Sequence, residues 1–167
     1  MNRIRIHHRQ RQHPVDAAAL RVLARALLQC AARLEASCAG LTVDLVLVDD
    51  AACAPINRAA VGHEGPTDVI TLRYAAIPGD TDGETAEIIL NAACAWRQGG
   101  DRAGADRELA LYLAHACDHL CGFDDQTPSA RRAMRRREWR WLARTGVPAL
   151  FTEEDGARRA RRATPRG

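Results

Sequence analysis

Apolar positions along the chain switch between two periods. In residues 2–8, Ile4 and Ile6 alternate with polar side chains, the period of a short strand at a sheet edge. From Pro14 to Leu34 the period lengthens. Leu20, Leu23, Leu27 and Leu34 fall on one helical stripe, with Pro14 and Asp16 near its start. Thr42–Val48 (TVDLVLV) returns to a β-branched strand, and Asp49 can cap a helix over Asp50–Ala60. Gly62 and Gly65 mark a loop, and Thr67–Tyr74 reads as the next strand. A Gly- and Asp-rich loop follows over Ala75–Thr85, then an apolar strand at Ile88–Leu90. Gly99 and Gly100 break the chain before a helix expected from about Asp106 to Cys121, with Leu109, Leu113 and Leu120 turned to the core. Thr127 caps a last helix that starts at Pro128 and buries Met134, Trp141 and Leu142. The pattern predicts one α+β domain over residues 1–150, with about four strands in a mixed sheet and helices packed on it. The remaining 151–167 form a basic tail too poor in apolar residues to build structure of its own.

Composition agrees with one soluble domain. The chain has 167 residues, 47% of them hydrophobic, enough for a sizeable core. No apolar run approaches ~18 residues, so no membrane helix is expected. The start, MNRIRIHHRQ, has charges but no following apolar stretch, so it does not read as a secretory signal and the expected location is the cytoplasm. Cys30, Cys38, Cys53, Cys94, Cys117 and Cys121 include no CxxC pair and read as reduced thiols.

Charge is segregated. The formal net charge is +3, and every basic residue other than histidine is arginine. The stretch 156–167 carries five arginines and no acid, so the rest of the chain holds 19 basic against 21 acidic residues. A second run, Arg131–Arg144, has seven arginines and a single acid, Glu138. Such patches suit nucleic acid; a solvated helix face in an arginine-rich protein has the same appearance.

The densest chemistry lies in HACDHLCGFDD, His115–Asp125. His115 and His119, four residues apart, share a helix face and can reach one metal ion. Gly122 allows a left-handed exit from the helix, which can bring Asp125 back over that face. Two histidines and one carboxylate form a three-ligand set with an open fourth position, pointing to one zinc ion per chain. Cys117 and Cys121 repeat the spacing, but Cys117 lies about 200° round the helix from His115, so the thiols read as buried small side chains. The pattern is also similar to the HExxHxxGxxH of metzincin peptidases, whose general-base glutamate follows the first histidine. Ala116 stands there, which disfavours that peptidase mechanism.

Three stretches together resemble the YbeY family of bacterial rRNA-maturation endoribonucleases. His115–Asp125 is similar to its HGxxHxxGYDH signature, Leu45–Leu72 resembles its strand, helix and PTDV strand with Pro66–Val69 literal, and AEIILN at 86–91 resembles its GDIxIS strand. The resemblance spans roughly residues 40–145. It implies the α+β fold above, with the metal helix crossing the sheet at a cleft lined by the PTDV strand. It also implies a metal-dependent endoribonuclease acting on single-stranded RNA in rRNA maturation and ribosome quality control, with rRNA or a ribosomal subunit as partner. Two departures stand out. Asp125 occupies the place of the family's third ligand histidine, and Val61 that of an arginine before the glycine of RGxxxPTDV. Arg58, one helical turn earlier, is the candidate substitute in catalysis and substrate binding. His115 and Asp124 complete the candidate catalytic set; Asp124 can orient a ligand or a water, or equally satisfy a turn. Thr67 can bind phosphate through its hydroxyl, while Asp68 reads as a structural hydrogen-bonder. In the tail, Arg158, Arg159, Arg161 and Arg162 are candidate RNA contacts. The alternative is a catalytically weakened, metal-stabilised protein of the same fold that binds RNA or the ribosome.

Overall fold

The computed structural model describes residues 1–79 and 83–152. Strand β1 (Arg3–His8) leads to helix α1 (Ala17–Leu34), then a 3₁₀ turn at Ala36–Cys38 and strand β2 (Thr42–Val48). Helix α2 (Asp50–Val61), strands β3 (Val69–Tyr74) and β4 (Thr85–Asn91), and helices α3 (Ala92–Gly99), α4 (Arg102–Leu120) and α5 (Pro128–Thr145) follow. The sheet order is β1-β2-β4-β3; β1, β2 and β4 run parallel, and β3 lies antiparallel at the other edge. This is the mixed four-stranded α+β sheet that the alternating periods predict.

The two central strands are almost wholly apolar because both sheet faces are covered. Val43, Leu45 and Leu47 stand beside Ala86, Ile88 and Leu90, and all six enter the main core under α1, α4 and α5. The opposite side chains Val46, Val48, Ile89 and Ile70 pack with Cys53 of α2. Pleat alternation thus sends one set of strand residues toward the helix that carries the histidines and the other toward α2.

Three differences from the sequence reading have local causes. Helix α1 begins at Ala17, because Asp16 is its cap and accepts from the amides of Ala18 and Ala19. Its buried stripe is Leu20, Leu23, Leu27 with Leu28 and Ala31, and Leu34, assigned to the core by periodicity, is 49% exposed at the helix end. Helix α3 was not anticipated: eight residues are too few for a clear period, and its one signal is Asn91, which caps it by accepting from the Cys94 amide. Its close packing on α4 depends on two glycines. A Cβ on Gly99 would meet the Ala105 amide nitrogen at 2.1 Å, and one on Gly104 would meet the Gly99 carbonyl oxygen at 2.0 Å.

The packed chain also extends past the expected boundary at residue 150. Phe151 is buried, bridges Val15, and with Leu150 donates its amide to the buried Asp106 carboxylate, both at 2.8 Å. Thr152 donates its amide to the Pro14 carbonyl. The tail arginines Arg158, Arg159, Arg161 and Arg162 lie outside the described residues. No helix among the described residues is long and apolar enough to cross a membrane.

Candidate metal centre and its cleft

Helix α4 starts one turn earlier than its apolar period suggests, because Asp101 caps it by accepting from the Gly104 amide. Its far end carries His115 and His119 on one face, with Ala116, Cys117 and Leu120 buried on the others. At Gly122 the backbone takes φ +82°, a region glycine enters without cost. The chain turns there and returns Asp125 toward the histidines. The candidate ligand atoms of His115, His119 and Asp125 all lie within 4.8 Å of one another.

The hydrogen bonds on the far side of each ring decide what the near side offers. His119 Nδ1 faces the Phe123 carbonyl oxygen at 2.8 Å, and a carbonyl only accepts, so that nitrogen carries the proton. His115 Nδ1 faces Glu138 Oε1 at 2.7 Å, where a carboxylate accepts in the same way. Both rings therefore turn Nε2 toward the open side, and the two Nε2 atoms stand 3.0 Å apart. At that distance the pair is satisfied by one proton shared between the two nitrogens or by a metal ion bound to both. Nitrogen ligands of a tetrahedral zinc ion are separated by about 3.3 Å, given bonds of ~2.0–2.1 Å. The donor set fits a divalent metal. His115 would bind through Nε2 with Glu138 behind it, His119 through Nε2 with Phe123 behind it, and Asp125 through a carboxylate oxygen.

Glu138 is the member of this group that sequence reasoning missed. It is 4% exposed, in a helix where Arg131, Arg132, Arg135, Arg136 and Arg140 face solvent. A single acid inside an arginine run is the signal the sequence offers for it. Burial of the His115 ring works against its protonation, but the adjacent Glu138 carboxylate prevails and holds its pKa above the ordinary histidine value.

The turn that carries Asp125 is braced from α5. Arg131 donates to the Asp125 carbonyl oxygen at 2.9 Å. Arg137 lays its guanidinium 3.8 Å from the Phe123 ring centroid and donates through Nε to Asp118 at 2.5 Å. Asp118 is fully buried, and burial holds its carboxyl above the ordinary range despite that partner. It braces α4 against α5 and does not enter the ligand group. Asp124 is exposed and accepts from the Gln126 amide at 3.2 Å, the turn-forming alternative.

The cysteines of α4 face the other way. Cys117 is fully buried. Cys121 Sγ lies 3.8 Å from Cys38 Sγ beyond α1, and burial pushes its thiol up to about 12.

A cleft of about 540 Å³ runs between the ligands and strand β3, lined by Val61, Thr67, Asp68, Thr71 and Arg73 together with His115, His119 and Asp125. Two asparagines hold its rim. Asn57 donates to the Gly65 carbonyl, and the fully buried Asn91 donates to the Thr67 carbonyl, each at 2.9 Å. Thr67 Oγ1 donates to Asp68 Oδ1, which also accepts from the Val69 amide, so Asp68 caps the strand start. Arg73 is committed to structure: it donates to the carbonyls of Leu120 and Ser37 and to Glu84.

Val61, the last residue of α2, is 49% exposed on this cleft. Arg58 lines a separate depression with Pro55 and Gly65, and its Nε pairs with Glu64 at 3.4 Å. Three residues on a helix are about 300° of rotation and ~4.5 Å of rise, so one turn earlier is not the same place. The structure brings His115, His119, Asp125 and Thr67 to one cleft and leaves Arg58 and Asp124 off it.

A family model described as Endoribonuclease YbeY matches residues 5–146. The Endoribonuclease YbeY of Rhodopirellula baltica is 35% identical over 117 residues, covering 70% of this chain and 60% of that protein. The one from Moorella thermoacetica is 34% identical over 152 residues, covering 85% of this chain and 96% of that protein. The solution structure of TM1509 from Thermotoga maritima has the same fold, with a TM-score of 0.57 at 18% identity over 96% of this chain and 93% of that one.

Proposed function

We propose that this chain, which belongs to the Endoribonuclease YbeY family, is a zinc-dependent endoribonuclease that cuts single-stranded RNA during rRNA maturation and ribosome quality control in the cytoplasm. The observation that carries the reading is the pair of facing Nε2 atoms 3.0 Å apart, each ring fixed from behind by an acceptor, with Asp125 beside them. A metal ion bound to both nitrogens would take the place of a proton shared between them. A zinc ion there supplies Lewis acidity toward a phosphoryl oxygen and acidifies water. The chain's own contribution is positional. Glu138 and the Phe123 carbonyl orient the imidazoles, Arg131 and Arg137 hold the Asp125 turn, and the Asn57 and Asn91 carboxamides hold the rim that carries Thr67, whose hydroxyl donates to phosphate only on leaving Asp68 Oδ1. The RNA 2′-OH or a water is the nucleophile. Ala116 leaves no acid at the position a peptidase of similar pattern would use.

A second reading has its own observation. The cleft is short of cationic side chains: Val61 offers no charge to phosphate, and Arg73 is engaged by two carbonyls and a carboxylate. A protein of this kind binds RNA or the ribosome better than it cuts. Single-stranded RNA incubated with the natural protein and with Val61→Arg, with and without chelator, tests both. The expected result is weak, chelator-sensitive cleavage that increases in Val61→Arg, where the new guanidinium can pair with phosphate bidentately. Cleavage that survives the chelator would contradict the metal-dependent reading. Robust cleavage unchanged in Val61→Arg would contradict the weakened one and return Arg58 to consideration.

A further inference from the structure

The ligand group has a second side. Besides the β3 cleft, His115 and Asp125 also line a depression of about 380 Å³ against the first half of α5, together with Arg131, Arg132, Arg135 and Glu138. Its two acids are both engaged: Glu138 is buried against His115, and Asp125 belongs to the ligand group. Arg131 is tied to the Asp125 carbonyl oxygen. Arg132 and Arg135 are exposed and make no hydrogen bond or ion pair among the described residues. They lie three residues apart, on one face of a helix. Two uncommitted guanidinium groups beside a ligand set that already fits a cation make a site for a phosphate dianion or diester.

We propose that this depression is a subsite for the phosphate adjoining the one at the metal centre. A single strand of RNA then lies along β3, crosses the His115, His119 and Asp125 group, and leaves over α5 between Arg132 and Arg135. The proposal rests on the endoribonuclease reading above and adds the path and the arginines that hold it. It also explains how a cleft with Val61 on its wall retains RNA: the cationic contacts stand in the adjoining depression on α5. Helix α5 carries a useful control. Arg140 and Arg144 line another basic depression with Arg33 and Cys30, and that depression shares no residue with the ligand group.

The experiment compares Arg132→Gln/Arg135→Gln with Arg140→Gln/Arg144→Gln in the full chain. Each protein is titrated with a 2′-O-methylated single-stranded RNA, which binds without being cut through its own 2′-OH, and zinc content is measured on the same samples. Losing Arg132 and Arg135 should weaken binding about tenfold and flatten the salt slope of log K by about 1.4, two contacts at ~0.7 each on a single strand. Zinc content should stay that of the natural protein, and the distal pair should change affinity less than threefold. Equal losses in both pairs, or none in the first, would overturn the subsite. Adenosine monophosphate distinguishes the chain from its monomer: it should displace the RNA only at millimolar concentration, and displacement at micromolar concentration would overturn the RNA chain as occupant. Failure of the endoribonuclease reading shows elsewhere, as absent zinc or absent cleavage in the natural protein, so the two can be told apart.

Discussion

Helix α4 carries the same spacing twice and does opposite things with it. His115 and His119 are four residues apart, and so are Cys117 and Cys121. All four side chains belong to types that bind zinc. The histidine pair has an acceptor behind each ring, Glu138 from α5 and the Phe123 carbonyl from the returning turn, so both Nε2 atoms face one place. The cysteine pair has the core. Cys117 is fully buried, and burial holds its thiol well above the ordinary value. A zinc ligand must be a thiolate, and these thiols resist losing a proton. Spacing makes two residues neighbours; the groups behind them decide whether they can bind a metal.

The largest effect expected from this comparison is on metal content. His119→Ala should lose zinc almost completely, while Cys121→Ala should keep it, both read by elemental analysis of dialysed protein. Retention in the first, or loss in the second, would reverse the assignment of the two faces.

Removing the acceptor behind a ligand should come next. Glu138→Ala frees the His115 ring and should weaken zinc binding by about 10–100-fold, the usual consequence of losing such a partner. Glu138→Gln keeps an acceptor oxygen and should fall between that variant and the natural protein. Competition against a chelating dye measures all three. An Ala variant with natural affinity would mean that Glu138 merely fills space.

Asp125 tests the loop half of the ligand set against the helix half. Asp125→Ala should weaken zinc at least tenfold, because two protein ligands remain, and Asp125→His should retain it. Equal affinity in all three proteins would remove Asp125 from the site. The smallest of these effects concerns stability. Cys117→Ser buries a hydroxyl where a thiol was and should cost about 1–3 kcal/mol in denaturant unfolding, with zinc content unchanged. A loss of zinc in that variant while it remains folded would show that the two faces are not independent.

The same contrast explains what could be read in the chain before its structure. The four strands, α2 with its Asp49 cap, the His115–His119 pair and the Gly122 turn were legible because each is a local pattern: a period, a cap or a spacing. Asp125 was legible because a glycine exit brings the chain back over a predictable face. Glu138 was not, since its role depends on how α5 docks on α4, and no local period encodes a contact across 23 residues. Helix α3 was too short to show a period. Phe151 lay beyond the expected domain end because a single apolar pair gives no pattern, although Asp106 accepts from the backbone amides of both Leu150 and Phe151 in the core. Arg58 was offered as a substitute for position 61 on sequence distance alone, and helix rotation moves it to another surface.

The central claim is that two imidazoles with facing Nε2 atoms, backed by Glu138 and Phe123, form a metal site with Asp125. Elemental analysis of the natural protein, purified without a metal-affinity tag, tests it most directly. The account predicts about one zinc per chain. A folded protein with no stoichiometric divalent metal, unable to take up zinc when it is supplied, would contradict it.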